Sequence, residues 1–358
     1  MKLASEAFFD KIKKQHKEQK PFVIYNKPNI NKISGLLQLT NDVFYTEKYT
    51  KEGFVFVPFS NSEKSILIPR ENSQAMECGH NFSNEEQQLD GVLLKKESLK
   101  EKKHMALVEN AVSTIKQTAL QKVVLSRTKE IELPTFNFIL VFKKLVQKYP
   151  NAFCYVWYHP EIGLWLGATP EVLLVAEDRA FKTMALAGTQ KYNGKMDVEW
   201  GDKEKTEQEL VTESILENLK KICPKIEVSE VKTIKAGPLL HLKTDIRGKA
   251  NTGNIGDIVA CLHPTPAVCG LPTELAKDFI LKEEGYNRAY YTGFLGELNF
   301  KEDTKKITSL FVNLRCMQYT EGKLIIYVGG GITKDSDAQL EWLETENKSR
   351  TMLDALLK

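Results

Sequence analysis

Two stretches of the chain place an ionisable side chain where apolar neighbours would tune it for proton transfer. In "LQKVVLSRTKEIEL" a strand pattern puts Lys122, Val124 and Ser126 on one side and Val123, Leu125 and Arg127 on the other. A lysine among such neighbours either snorkels at a sheet edge or sits partly desolvated. Desolvation lowers a lysine's pKa from about 10.4 toward neutrality, the range a general base needs. In "LWLGATPEVLLV" Pro170 fixes a turn, so Glu171 begins the next strand beside hydrophobic residues. There a carboxylic acid can stay protonated near neutral pH, unless it is simply a turn glutamate in solvent.

A third group lies near the carboxyl end, in "YVGGGITKDSDAQLEWLETENKSR". The glycines Gly329, Gly330 and Gly331 imply a backbone that something approaches closely. After Asp337 the pattern is helical, and Glu341, Glu344 and Lys348 at i, i+3 and i+7 share one face. Glu344 and Lys348 also fit a plain exposed ion pair, worth only about 0.2 to 0.5 kcal/mol.

Other candidates are ambiguous singly. In "EWGDKEKTEQELVTESILENLKKI" the apolar positions Leu210, Val211, Ile215, Leu219 and Ile222 define a helix face that Glu207 borders. Glu204 joins it if the helix extends that far, and periodicity does not choose between them. "LLHLKTDIRGK" sets His241 and Thr244 amid apolar residues, and "VNLRCMQ" places Arg315 in a strand-like run, where a guanidinium needs an anionic partner. "CLHPTPAVCGLPTELA" reads as a rigid loop, with Pro264, Pro266 and Pro272 fixing φ and Gly270 permitting a turn before a helix from Thr273.

The elements that must position these groups are short strands over residues 1 to 100 ("PFVIY", "GFVFVPF", "KSILIP"), a charged helical stretch over 83–117, then alternating strands and helices. Without a strict βαβ rhythm this is an α+β pattern. Neither G-x-G-x-x-G nor G-x-x-x-x-G-K-[ST] occurs, so dinucleotide and P-loop chemistry lack support. A formal charge of +3 from 50 basic and 47 acidic residues gives no whole-protein field for nucleic acid or a membrane surface. The six cysteines form no C-x-x-C pair, which suggests reduced thiols and no zinc site. The first residues lack a signal-peptide core and no run is long enough to span a bilayer, so a cytoplasmic location is expected.

Taken in order, "KVVLSR", "GATPE", "ALAGT", "TEQELV", "HLKTDIRG", "LHPTPAVCG", "YYTGFLGEL", "VNLRC" and "GGGIT" with "EWLETENK" resemble the chorismate-utilising enzymes. The match runs over residues 105–358, with 1–104 as a variable amino-terminal part of one structural domain. The resemblance implies an α+β fold with two packed antiparallel sheets flanked by helices and a site in the cleft between them. Lys122 stands where members that add water to chorismate carry lysine and ammonia-using members carry glutamine. Ala187 stands where aminodeoxychorismate synthases place a nucleophilic lysine. The pattern therefore looks like an isochorismate synthase, with salicylate synthase as the nearest rival.

By the same resemblance Lys122, Glu171 and His241 are catalytic, and Glu207 and Glu344 hold Mg²⁺. Gly188, Thr189, Arg315, Lys348 and the turn Gly329, Gly330, Gly331 contact chorismate, and neither a redox cofactor nor a glutamine amidotransferase subunit is expected. Gln208, where histidine commonly follows the metal-binding glutamate, Cys269, where a smaller residue is frequent, and "GGGIT" in place of the more usual Gly-Ala-Gly depart from the family pattern.

Overall fold

Short apolar runs bounded by Gly, Pro and charged residues become strands and assemble into two antiparallel sheets. The structure, a computed structural model, describes all residues except 61, 62, 81, 83–97, 238, 252 and 358. In neighbour order the first sheet holds β15 (Gly270–Leu271), β7 (Lys122–Glu132), β19 (Lys323–Ile332), β18 (Cys316–Thr320), β9 (Gly163–Thr169), β8 (Phe153–His159), β1 (Phe22–Asn26), β2 (Ile33–Gln38) and β6 (Ser73–Cys78). The second holds β12 (Ile226–Val228), β14 (Leu239–Lys249), β11 (Ala180–Lys191), β10 (Val172–Glu177), β17 (Lys305–Val312), β16 (Phe294–Glu302), β4 (Gly53–Val57), β5 (Ile66–Pro69) and β3 (Phe44–Tyr45), with β13 (Lys232–Ala236) also on β14. The described helices are α1 (Ser5–Lys17), α2 (Ser98–Gln117), α3 (Phe138–Lys148), α4 (Asp202–Lys220), α5 (Ile255–Leu262), α6 (Thr273–Glu283) and α7 (Ala338–Leu357). The helical stretch expected over 83–117 is met from Ser98 onward, and residues 83–97 lie outside the described residues.

The sheets pack face to face through aromatic residues. Phe153, Tyr155, Trp157 and Trp165 of the first meet Phe54, Phe56 and Phe311 of the second in one buried cluster. Phe153 stacks on Phe311 across the interface at 4.2 Å. Outside the first sheet α1, α3 and α7 bury Phe8, Phe142 and Met352, and outside the second α4 and α5 bury Val211, Ile215 and Ile258. The chain thus adopts the α+β, two-sheet architecture expected of it. Residues 1–78 give strands to both sheets.

Two strand pairs change sheets side by side. The run containing Arg315 is not one strand, as the sequence suggested: β17 ends at Val312 in the second sheet and β18 starts at Cys316 in the first. Between them Arg315 takes φ +48°, a left-handed backbone. Buried Asn313 forces the break, accepting from Tyr155 Oη at 2.6 Å and donating to Tyr290 O at 2.8 Å. Beside it the chain crosses from β9 to β10 through Pro170 and Glu171, and the crossings are tied by Ala168 N to Arg315 O and Val312 N to Glu171 O, each at 3.0 Å. Glu171 and Arg315 therefore emerge together.

Gly329, Gly330 and Gly331 are not a turn either: they lie inside β19, opposite Ser126, Leu125 and Val124 of β7. Strand β18 pairs with β19 only up to Ile326, so beyond it β19 has β7 on one side and, among the described residues, no strand on the other. Helix α7 arrives at this open edge, its first turn capped by Asp337, whose Oδ1 accepts the Leu340 N–H at 2.9 Å.

Candidate active site

Every site residue selected from the sequence except Lys122 lines a single cavity where the strands change sheets. Lys122 lies under its floor, 0% exposed, with Nζ 2.7 Å from Glu207 Oε1. This excludes a lysine snorkelling at a sheet edge. Its strand is fixed there by β15: Gly270 opposes Val123 with φ +140°, and a Cβ at Gly270 would collide with Lys122 O. The "LHPTPAVCG" loop thus holds the lysine's own backbone.

Glu171 is 3% exposed, which excludes a solvent-facing turn. Burial pushes its carboxyl up to about 8, with Lys122 pulling the other way, so it is a neutral acid at pH 7. His241 is driven down to about 3 by burial and by the charges of Arg315 and Lys348. Its Nδ1 lies 3.0 Å from Gly188 O, an acceptor only, so Nδ1 carries the proton and buried Nε2, which has no partner among the described residues, is an acceptor. A register shift in β11 between Ala187 and Gln190, with Gly188 at φ +70°, presents Gly188 and Thr189 to the cavity. Thr189 Oγ1 stands 3.4 Å from His241 Nδ1.

Glu207 bridges the two sheets, pairing with Lys122 of β7 and accepting the Gly188 N–H of β11 at 3.3 Å. Burial alone would raise its carboxyl, but Lys122, Lys348 and Lys203 outweigh it and hold it below the usual carboxylate range. Helix α4 starts at Asp202, so Glu204 also reaches the cavity, though it is Glu207 that meets the lysine. Across the open edge of β19, Lys348 pairs with Glu344 at 2.5 Å and donates to Gly329 O at 3.0 Å.

The missing glycine side chains are the room these groups occupy. A Cβ at Gly331 would stand 2.8 Å from Glu207 Oε1 and 3.0 Å from Lys122 Cε. One at Gly330 would stand 3.2 Å from Glu341 Oε2 and 3.7 Å from Glu344 Oε1. Glu341 Oε2 is buried without a hydrogen-bond partner among the described residues, and burial together with Glu344 pushes that carboxyl up. Carboxylates from α4 and α7 gathered over a bare strand edge, one oxygen orphaned, are a hard donor set that fits Mg²⁺. Among the described residues no three His, Cys, Asp or Glu side chains form a ready cage.

Arg315 donates to Thr351 Oγ1 at 3.1 Å and Lys348 O at 3.4 Å, and makes no ion pair among the described residues. Sequence reasoning gave no role to Tyr291, Tyr327 or Lys203, which also line the cavity. Tyr327 could have been found, since it shares a strand face with Gly329 and Gly331. Gln208 turns away from the site, donating to Thr244 Oγ1 at 2.9 Å and Ala185 O at 3.2 Å, and Cys269 is buried at the joint before α6. All six cysteines are free thiols, Cys261 alone only partly buried. Among the described residues no helix is long and apolar enough to cross a membrane.

A family model described as chorismate binding enzyme matches residues 55–357. Isochorismate synthase MenF of Escherichia coli (strain K12) is 32% identical over 263 residues, covering 69% of this chain and 59% of that protein. Isochorismate synthase EntC of the same strain is 30% identical over 259 residues, 69% of this chain and 65% of that one. The matches thus span less than two thirds of these relatives' own length. Among solved structures, the menaquinone-specific isochorismate synthase MenF from Escherichia coli superposes with a TM-score of 0.78 at 22% identity, over 94% of this chain and 88% of that one.

Proposed function

The chain belongs to the chorismate-binding enzyme family, and from that premise we propose that it is an isochorismate synthase, adding water at C2 of chorismate with loss of the C4 hydroxyl. The observation that carries this reading is a fully buried lysine, Lys122, under a cavity into which Glu171 presents a neutral carboxylic acid. Water needs a base to attack, and the departing hydroxyl needs an acid. Lys122 takes the proton from water, Glu171 protonates the leaving hydroxyl, and the ring double bonds shift between them.

Lys122 is paired with Glu207 as an ammonium, so that contact must open and the lysine must release its proton to solvent before it can take one from the attacking water. His241 Nε2, unprotonated, would accept a hydrogen bond from the leaving hydroxyl, and Thr189 with Gly188 would seat the ring. Arg315 and Lys348 supply the positive charge for the two substrate carboxylates. Mg²⁺ held by Glu207 and Glu344 would supply a hard Lewis acid that binds and orients a ring carboxylate. Ala187 is small and lines the cavity, so no lysine nucleophile stands at that position. With water as nucleophile, no ammonia-delivering subunit is required.

Turnover in ¹⁸O-enriched water tests the reading. Isochorismate should carry one ¹⁸O at C2, and product without the label would rule out attack by water.

A further inference from the structure

Beyond Val124, strand β7 has, among the described residues, no neighbouring strand on the side away from β19. Strand β15 pairs only with Lys122 and Val123, and the Val124 N–H is the last to reach that segment, at Cys269 O, 2.8 Å. Two side chains stand where the next strand would be. Glu284 Oε1 accepts the Ser126 N–H at 2.7 Å, and Arg288 Nη2 donates to Val124 O at 2.6 Å. A carboxylate and a guanidinium thus replace the carbonyl and amide of an absent strand.

The pair is saturated and dry. Glu284 also accepts from Ser126 Oγ at 3.0 Å, and Arg288 Nε returns to Glu284 at 2.7 Å. Arg288 Nη1 donates to Val268 O at 3.0 Å and Thr292 Oγ1 at 3.2 Å, and Nη2 also meets Glu284, so all five donors are used. Side-chain exposure is 2% for Arg288 and 1% for Glu284. Val124, Val268 and Thr292 come from three separate segments, and all line the catalytic cavity. Lys122 is two residues from Val124, on the same strand face.

We infer that Glu284 and Arg288 are positioning residues of the catalytic site. They hold the strand bearing Lys122, the Pro-rich loop and the turn before β16 in one frame, so that the lysine meets the cavity at a fixed height. The inference rests on the proposed reaction. A pair serving stability alone would lower the melting temperature and leave kcat per folded site unchanged.

The test compares Arg288→Lys, Glu284→Gln and Ser126→Ala with wild type, measuring chorismate turnover and local amide hydrogen exchange. Lysine keeps the charge but cannot reach all the acceptors. In the first two variants kcat should fall about 10- to 100-fold with KM within about threefold, as small misplacements of a reacting group do. Exchange over 122–127 should rise at least about tenfold, with β8 and β9 unchanged. Ser126→Ala keeps the ion pair and fold and should lose kcat about three- to tenfold, which decides the matter if the charged-pair variants do not fold. Wild-type kcat per folded site in the variants, or exchange raised equally everywhere, would overturn the inference. Inactive wild type would instead sink the proposed reaction, and the exchange data would still judge the frame.

Discussion

Glu171 sits where burial holds its carboxyl at about 8 against the pull of Lys122, so in the proposed mechanism it would act as the protonated acid. Turnover should therefore decline as pH rises through about 8, and Glu171→Gln, which keeps the shape, should lose about 10² to 10⁴ in kcat. The same shift has a stability consequence of definite sign. Between about 4.3, the unfolded value, and about 8 the folded chain holds a proton that the unfolded chain releases, so this group's contribution makes folding less favourable as pH rises across that window. Thermal melts should show the advantage of Glu171→Gln over wild type growing from about pH 5 to about pH 8. Lys122→Gln should also lose about 10² to 10⁴ in turnover with water, and near wild-type conversion would remove the lysine from the mechanism. The chemistry of both residues was legible in the sequence, because a charge amid apolar strand residues is conspicuous. Their burial was not, since only tertiary packing separates a floor lysine from a snorkelling one.

The elements explain why three glycines occur together. In β19 each is a side chain withheld: at Gly331 for Glu207 and Lys122, at Gly330 for Glu341 and Glu344, and at Gly329 for Leu125 O and Tyr291 Oη. Gly331→Ala should cost about 10² in kcat by displacing the Glu207–Lys122 pair while the melting temperature changes little, and Gly330→Ala should cost less because its nearest contact is 3.2 Å. Glu344→Ala should raise the Mg²⁺ concentration needed for half-maximal activity by more than the roughly 10- to 100-fold that loss of an outer partner costs, read from activity against Mg²⁺ concentration. The start of helix α7 after Asp337 was readable from local pattern. The sheet change at Arg315 was not, because Asn313 breaks the ladder through contacts with Tyr155 and Tyr290, which are remote in sequence.

At the scale of the molecule the two sheets act as jaws around the site, and an aromatic column links core to cavity. Trp165 stacks on Tyr327 at 5.2 Å, and Tyr327 on Tyr291 at 5.5 Å, the last two lining the cavity. Trp165→Ala should destabilise the fold by about 3 to 5 kcal/mol in denaturant unfolding and lower kcat as the wall relaxes. The two-sheet architecture came from family resemblance and not from periodicity, since β8 is buried at every position and so shows no alternation of polar and apolar residues. The central claim, that this cavity adds water to chorismate and stops there, is tested most directly by incubating the purified chain with chorismate and Mg²⁺, without ammonia, and identifying products by chromatography and mass. Isochorismate in a mixture with remaining chorismate is the result predicted. Salicylate with pyruvate, or chorismate recovered unchanged, would contradict it.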